Sequence, residues 1–151
     1  INKLIYKKQL IIVAHINHGF QAFKFIKHWG LAKMMIFKKY FFDAAHFMPN
    51  FPKDHKYGRV HGHTFEVTVR VNGNIDNENN WVVNYDELDQ FVTPLLKILD
   101  HKILNDINGL KNPTSENLAR WFWFKLKKKI KNLESIEINR PRIGGCVFKG
   151  D

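Results

Sequence analysis

His61-Gly62-His63-Thr64-Phe65-Glu66-Val67-Thr68-Val69-Arg70-Val71 is the stretch that decides how this chain folds. Successive side chains in a strand point to opposite faces, so Phe65, Val67, Val69 and Val71 form one apolar stripe while Thr64, Glu66, Thr68 and Arg70 take the other side. The pattern predicts a strand of a half-buried sheet. His61 and His63 extend the apolar stripe at its end, with only Gly62 projecting the other way. Two inward imidazoles need partners. His46, near the end of the preceding strand, offers a third. Three imidazoles fill three corners of a zinc tetrahedron and leave the fourth for water or substrate, as in a catalytic zinc site. The chain holds 8 histidines, and a His-x-His pair can equally face solvent or hydrogen-bond locally. The apolar stripe behind His61 and His63 favours the metal.

On either side of this strand the chain alternates, turns helical, and alternates again. Residues 35–47 read as a strand, 48–60 as a loop containing Pro and Lys, and 61–72 as the antiparallel partner. Asn72-Gly73-Asn74 opens a polar connection running to Asn80. A helix is expected from Tyr85 to Leu99, with Leu88, Phe91, Val92, Leu95 and Leu99 three and four apart and Pro94 kinking it. A second helix opens at Asn112-Pro113-Thr114-Ser115-Glu116, where Thr114 or Ser115 can cap the free amides and Glu116 suits the helix dipole. Leu118, Trp121, Phe122, Leu126 and Ile130 form its buried stripe. Lys125, Lys127, Lys128, Lys129 and Lys131 read as a solvated helix end. Residues 135–139 and 143–149 close the chain as strands around Pro141 and Gly144-Gly145. The order β-β-α-α-β-β predicts an α+β layer of four antiparallel strands backed by two helices.

At 151 residues the chain suits one domain. No apolar run of 18 or more residues spans a bilayer, so no membrane partner is expected. One cysteine, Cys146, cannot make an intrachain disulfide and fits a reducing, cytoplasmic setting. Residues 1–34 hold six lysines and no acidic residue, and so supply +6 of the formal net charge of +10. This segment reads as a non-core extension, one reading being translated sequence before a start at Met34 or Met35; a basic targeting segment and a short packed helix are the other readings. Nucleic-acid binding is not expected, because aromatics do not alternate regularly with Lys or Arg.

Phe42-Asp43-Ala44-Ala45-His46, His61-Gly62-His63, Leu99-Asp100-His101, Leu104-Asn105-Asp106, Asn112-Pro113-Thr114-Ser115-Glu116-Asn117-Leu118 and Phe148-Lys149-Gly150-Asp151 occur in order across residues 35–151. In these motifs the chain resembles the 6-pyruvoyl-tetrahydropterin synthase family, and within it the bacterial 6-carboxy-tetrahydropterin synthase branch of queuosine and 7-deazaguanine biosynthesis. The resemblance implies a tunnelling fold, with sheets pooled into a barrel, a homohexamer and active sites between subunits. It implies Zn2+ on His46, His61 and His63, and 7,8-dihydroneopterin triphosphate as substrate. Zinc would acidify C–H and O–H bonds beside the substrate's side-chain oxygens while triphosphate and a two-carbon aldehyde leave. Asp100 and His101 are implied as the proton relay, a carboxylate fixing the imidazole's tautomer; without the resemblance they read as a helix-terminal hydrogen-bonded pair. Lys56, Arg59, Thr114, Ser115 and Lys149 are the implied substrate contacts.

Two positions depart from the family pattern. Four residues before His61, where the family places a proton-abstracting cysteine, stands Tyr57. A phenol is the weaker acid, near 10 against about 8.5, so a catalytic role needs zinc or a neighbouring cation to acidify it; a structural loop tyrosine is the alternative. Where the family holds an acidic residue that receives the pterin's paired N–H groups stands Arg140, which can only donate. Glu137 is a nearby carboxylate able to take over. The expected function is a zinc-dependent 6-carboxy-tetrahydropterin synthase-like lyase. The alternative is a diverged zinc-binding paralogue for another ligand, an acidic one being suited to Arg140.

Overall fold

A long antiparallel hairpin is the spine of the molecule, and its two strands meet over their whole length. In the computed structural model, which describes residues 33–150, β1 (Lys33–His46) pairs with β2 (His61–Asn74), from Lys33 opposite Asn74 to His46 opposite His61. The expected alternation decides which side is buried. Phe65, Val67, Val69 and Val71 are 0 to 2% exposed and meet Tyr40, Phe42 and Ala44 of β1 in one core. Phe42 stacks on Phe65 with ring centroids 5.0 Å apart. Each such fully buried side chain stabilises the fold by about 1.5–3 kcal/mol.

The remaining elements cover that apolar face. Helix α1 (Tyr85–Leu99) starts where the Asn84 side chain accepts from the Asp86 amide, and it buries Leu88, Val92, Leu95 and Leu99. It runs on through Pro94, which lies on its exposed side. A single 3₁₀ turn, Leu104–Asp106, follows. Helix α2 (Ser115–Leu126) is capped by Thr114, whose hydroxyl accepts from the Asn117 amide, so Ser115 is its first residue. It buries the expected Leu118, Trp121, Phe122 and Leu126, and also Ala119 and Trp123; Ile130 is buried just after the helix ends. Strands β3 (Leu133–Arg140) and β4 (Gly144–Phe148) complete a sheet of order β1-β2-β3-β4. The fold is the α+β layer read from the sequence, with β1, β2 and β3 longer than expected there.

One detail adds to the sequence reading and two differ from it. Thr68 takes the face away from the helices, as expected, and is 1% exposed there. Its strand neighbours Lys39 and Glu137 pair with Glu66 and Arg70 respectively. The lysine run lies mostly after α2, and Lys127 donates to the Leu133 carbonyl while its ammonium sits 4.8 Å from the Trp123 ring centre. Lys33 and Met34, assigned above to the extension, pair with Asn74 and Gly73; the rest of that segment lies outside the described residues. No helix among the described residues is long and apolar enough to cross a membrane.

Candidate metal centre

The register that buries the core also assembles three imidazoles. His46 and His61 are direct cross-strand partners, and His63 lies two residues further along the same face. One ring nitrogen from each falls within 4.8 Å of the others. Tetrahedral zinc needs nitrogens about 3.4 Å apart, a spacing that small imidazole rotations reach. His46 is fully buried, while His61 and His63 are half-buried.

Backbone carbonyls select which nitrogen is free. His46 Nδ1 lies 3.0 Å from the Pro113 carbonyl and His61 Nδ1 lies 2.8 Å from the Arg59 carbonyl. A carbonyl accepts only, so Nδ1 carries the proton in both rings and Nε2 keeps its lone pair for a metal. The Nε2 atoms of His46 and His63 are buried without a hydrogen-bond partner. Burial pushes the His46 imidazole down to about 4, with the neighbouring His61, His63 and Arg140 charges acting the same way. His63 is lowered too, first by burial and then by Arg140 and His61. His46 and His63 are therefore neutral at neutral pH, as metal ligands must be. The donor set fits zinc.

The loop between β1 and β2 brings Tyr57 beside this centre. The Met48 amide donates to the Tyr57 carbonyl at 2.7 Å, and the turn packs so closely that a Cβ on Gly58 would stand 1.9 Å from the Pro52 oxygen. Only glycine fits there. The Tyr57 ring centre is then 6.5 Å from that of His61, with Phe51 and His55 against its other sides. The Lys56 ammonium lies 4.9 Å from the Tyr57 ring centre, over the ring. Arg59 borders a separate, largely apolar cleft of about 430 Å³ with Lys53, Phe51 and Val60.

Arg140 reaches the same region from β3. Asn139 pairs with Glu66 on the outer face, so Arg140 points back to the core side, as the fully buried Ile136 and Ile138 do. Its Nε is buried and has no partner. At the start of α2, Ser115 is buried with an unpartnered hydroxyl. Glu116 is held below the usual carboxylate range by its own backbone amide, then by Thr114 and by Arg140.

Other expected site residues stand elsewhere. Asp100 and His101 lie along the outer edge of β1, where Asp100 Oδ1 accepts from the Asp43 amide at 3.0 Å and the His101 amide donates to the Asp43 carbonyl at 2.6 Å. His101 Nδ1 meets Asp100 Oδ2 at 2.9 Å, and the His101 side chain is 78% exposed. Its φ of +56° is a left-handed conformation that costs a non-glycine residue about 1–3 kcal/mol, and such strain persists where surrounding contacts impose it. A shallow cavity of about 550 Å³ bordered by His101, Lys102, Asp43 and Thr64 reaches one member of the triad, His63. Lys149 lines an outer-face groove with Met35 and Arg70.

Sequence reasoning missed the acceptor role of the Pro113 carbonyl and the clamp formed by the Asp43 main chain. Neither depends on side-chain identity, so no residue pattern announces it. Asn105, quoted above only for its motif, holds the end of β1 by pairing with both the amide and the carbonyl of Phe47.

Comparison with known proteins identifies the family and the fold. Residues 35–148 match the family described as 6-pyruvoyl tetrahydropterin synthase. The chain is 36% identical over 110 residues to a 6-carboxy-5,6,7,8-tetrahydropterin synthase of Synechocystis, covering 69% of this chain and 84% of the relative. It is 37% identical over 89 residues to a dihydroneopterin monophosphate aldolase of Pyrococcus furiosus, covering 59% and 71%. A Caenorhabditis elegans 6-pyruvoyl tetrahydropterin synthase structure superposes with a TM-score of 0.72 at 24% identity, covering 80% of this chain and 97% of that one.

Proposed function

The chain belongs to the 6-pyruvoyl tetrahydropterin synthase family, and from that premise we propose that it is a zinc-dependent lyase of queuosine biosynthesis that converts 7,8-dihydroneopterin triphosphate to 6-carboxy-tetrahydropterin. The observation that carries this reading is the triad itself: three convergent imidazoles, His46 and His61 with Nδ1 bonded to a carbonyl, and His46 and His63 with buried, unpaired Nε2 atoms. Zinc held there would supply Lewis acidity toward substrate oxygens. Tyr57 stands beside His61 where a phenol can exchange a proton with bound substrate.

Asp100 and His101 sit at the edge of β1 with the imidazole open to solvent, and we assign them to the site of a neighbouring copy. The sheet ends in β1 and β4, and Met35, Phe37, Phe41 and Val147 are exposed on the face away from the helices. These features support pooling of sheets into a barrel, in a homohexamer. The domain responsible includes the whole of β1, so it takes in Lys33 and Met34 as well as the residues from 35 onward that were expected to form it.

A second reading is favoured by Arg140, a donor-only group on the core face beside the histidines: a zinc-binding paralogue with altered pterin chemistry. The Pyrococcus furiosus relative, named for action on dihydroneopterin monophosphate, is compatible with it. Incubating the zinc-loaded protein with 7,8-dihydroneopterin triphosphate, and separately with the monophosphate, decides between them by mass spectrometry of products. Formation of 6-carboxy-tetrahydropterin supports the first. Unchanged triphosphate with folded, zinc-bound protein excludes it.

A further inference from the structure

The unused feature nearest the triad is the guanidinium of Arg140. The β3 register places it on the core face, one alternation beyond Ile138, and so toward the strand end that carries His61 and His63. A guanidinium has five donors and no acceptor. Its Nε is buried with no partner, and among the described residues no carboxylate oxygen pairs with it within 4.0 Å. Glu116, the carboxylate at the start of α2, is engaged by its own backbone amide and by Thr114, and it feels the Arg140 charge without pairing with the guanidinium. Two imidazole nitrogens, of His46 and His63, are unpaired in the same region. A loaded site therefore joins a divalent cation to a fixed positive charge, with the imidazoles contributing no negative charge. The group that completes it must bring oxygen lone pairs and negative charge, because an N–H edge offers nothing that Arg140 can bond.

We propose that Arg140 makes the metal centre a receptor for an oxyanion, a carboxylate or phosphate group of the ligand held between the triad metal and the guanidinium. The proposal rests on the metal reading above and deepens it: this end of the site grips the substrate's acidic or phosphorylated side chain, not the amino-pyrimidine edge. Arg140 is thus a specificity-determining residue whose charge selects anions.

The full-length protein loaded with Co2+ tests this without turnover, since the visible spectrum of Co2+ reports both metal uptake and changes at its open position. Inorganic phosphate and oxalate are titrated separately, with ethylene glycol as a neutral control. Saturable spectral shifts with either anion and none with the glycol are expected, and which anion binds tighter distinguishes a phosphate from a carboxylate ligand. Arg140→Gln should keep Co2+ uptake and weaken the anion by about tenfold or more. Equal anion affinity in the wild type and Arg140→Gln overturns the proposal, as does the absence of any anion shift in Co2+-loaded wild type. Failure to take up Co2+ at all removes the metal reading itself, and the receptor with it. Should Arg140→Gln not fold, phenylglyoxal labelling of the wild type substitutes. Phosphate should protect Arg140 in the Co2+-loaded form, and unchanged labelling overturns the proposal.

Discussion

The core side of the β1–β2 end and the outer edge of β1 carry the two candidate halves of the chemistry, and they are built in opposite ways. On the core side, His46 and His63 are withdrawn from water, held neutral, and left with unpaired nitrogens. Along the edge, Asp100 and His101 are exposed, paired to each other and clamped to the Asp43 main chain. Burial without satisfaction marks a place for a ligand, because leaving polar atoms unpaired in the interior is costly. Exposure with an imposed left-handed backbone at His101 leaves a polar group fixed in place but open to solvent.

Removing a triad member should break this contrast most sharply. His46→Ala should lower metal affinity by more than about 100-fold, beyond the 10–100-fold typical of losing an outer partner. It also leaves the buried Pro113 carbonyl without its donor. His101→Ala should leave metal content unchanged, and elemental analysis of the two purified variants checks both.

Next in size is the effect of the edge on turnover. Asp100→Asn or His101→Gln should reduce product formation by about 10²–10⁴-fold, the usual worth of a positioned acid or base, with the metal retained. If the edge serves a neighbour's triad, co-assembling His63→Ala with His101→Ala chains should restore activity that neither variant shows alone. An active monomer would sink the shared site.

Acid should weaken the core side of the metal-free protein. Unfolded, His46 takes up a proton near 6.5; folded, only near 4. Stability is therefore full above about pH 6.5 and falls as pH drops toward 4, by up to about 3 kcal/mol. Urea unfolding at pH 7.5, 5.5 and 4.5 measures this, and His46→Asn should flatten the trend.

The smallest effect belongs to the outer face. Thr64 donates to Asp43 Oδ1 at 2.6 Å in an exposed pair, so Thr64→Val should cost about 1 kcal/mol or less, without changing metal content. Thermal unfolding and elemental analysis check it.

Much of this was legible in the residues. Strict alternation from His61 to Val71 specifies strand, face and the inward aim of two imidazoles, because period two leaves no freedom in where a side chain points. The spacing of Leu88, Val92, Leu95 and Leu99 likewise specified α1, and Asn112 to Glu116 specified the start of α2. Alternation placed Thr68 on the outer face correctly but says nothing of how exposed it is there, and it is 1% exposed.

Local pattern alone determined the strands, the helices and the candidacy of His46, His61 and His63, since those depend on periodicity and side-chain chemistry. The tertiary structure decided what periodicity cannot encode. Carbonyls of Pro113 and Arg59, distant or local in sequence but identical in kind to every other, set the tautomers of His46 and His61. The β3 register turned Arg140 toward the histidines, and the clamp on Asp43 held Asp100 and His101 along the outer edge of β1. Such relations arise from main-chain groups and strand pairing, which any residue can supply, so they exist only once the chain has folded.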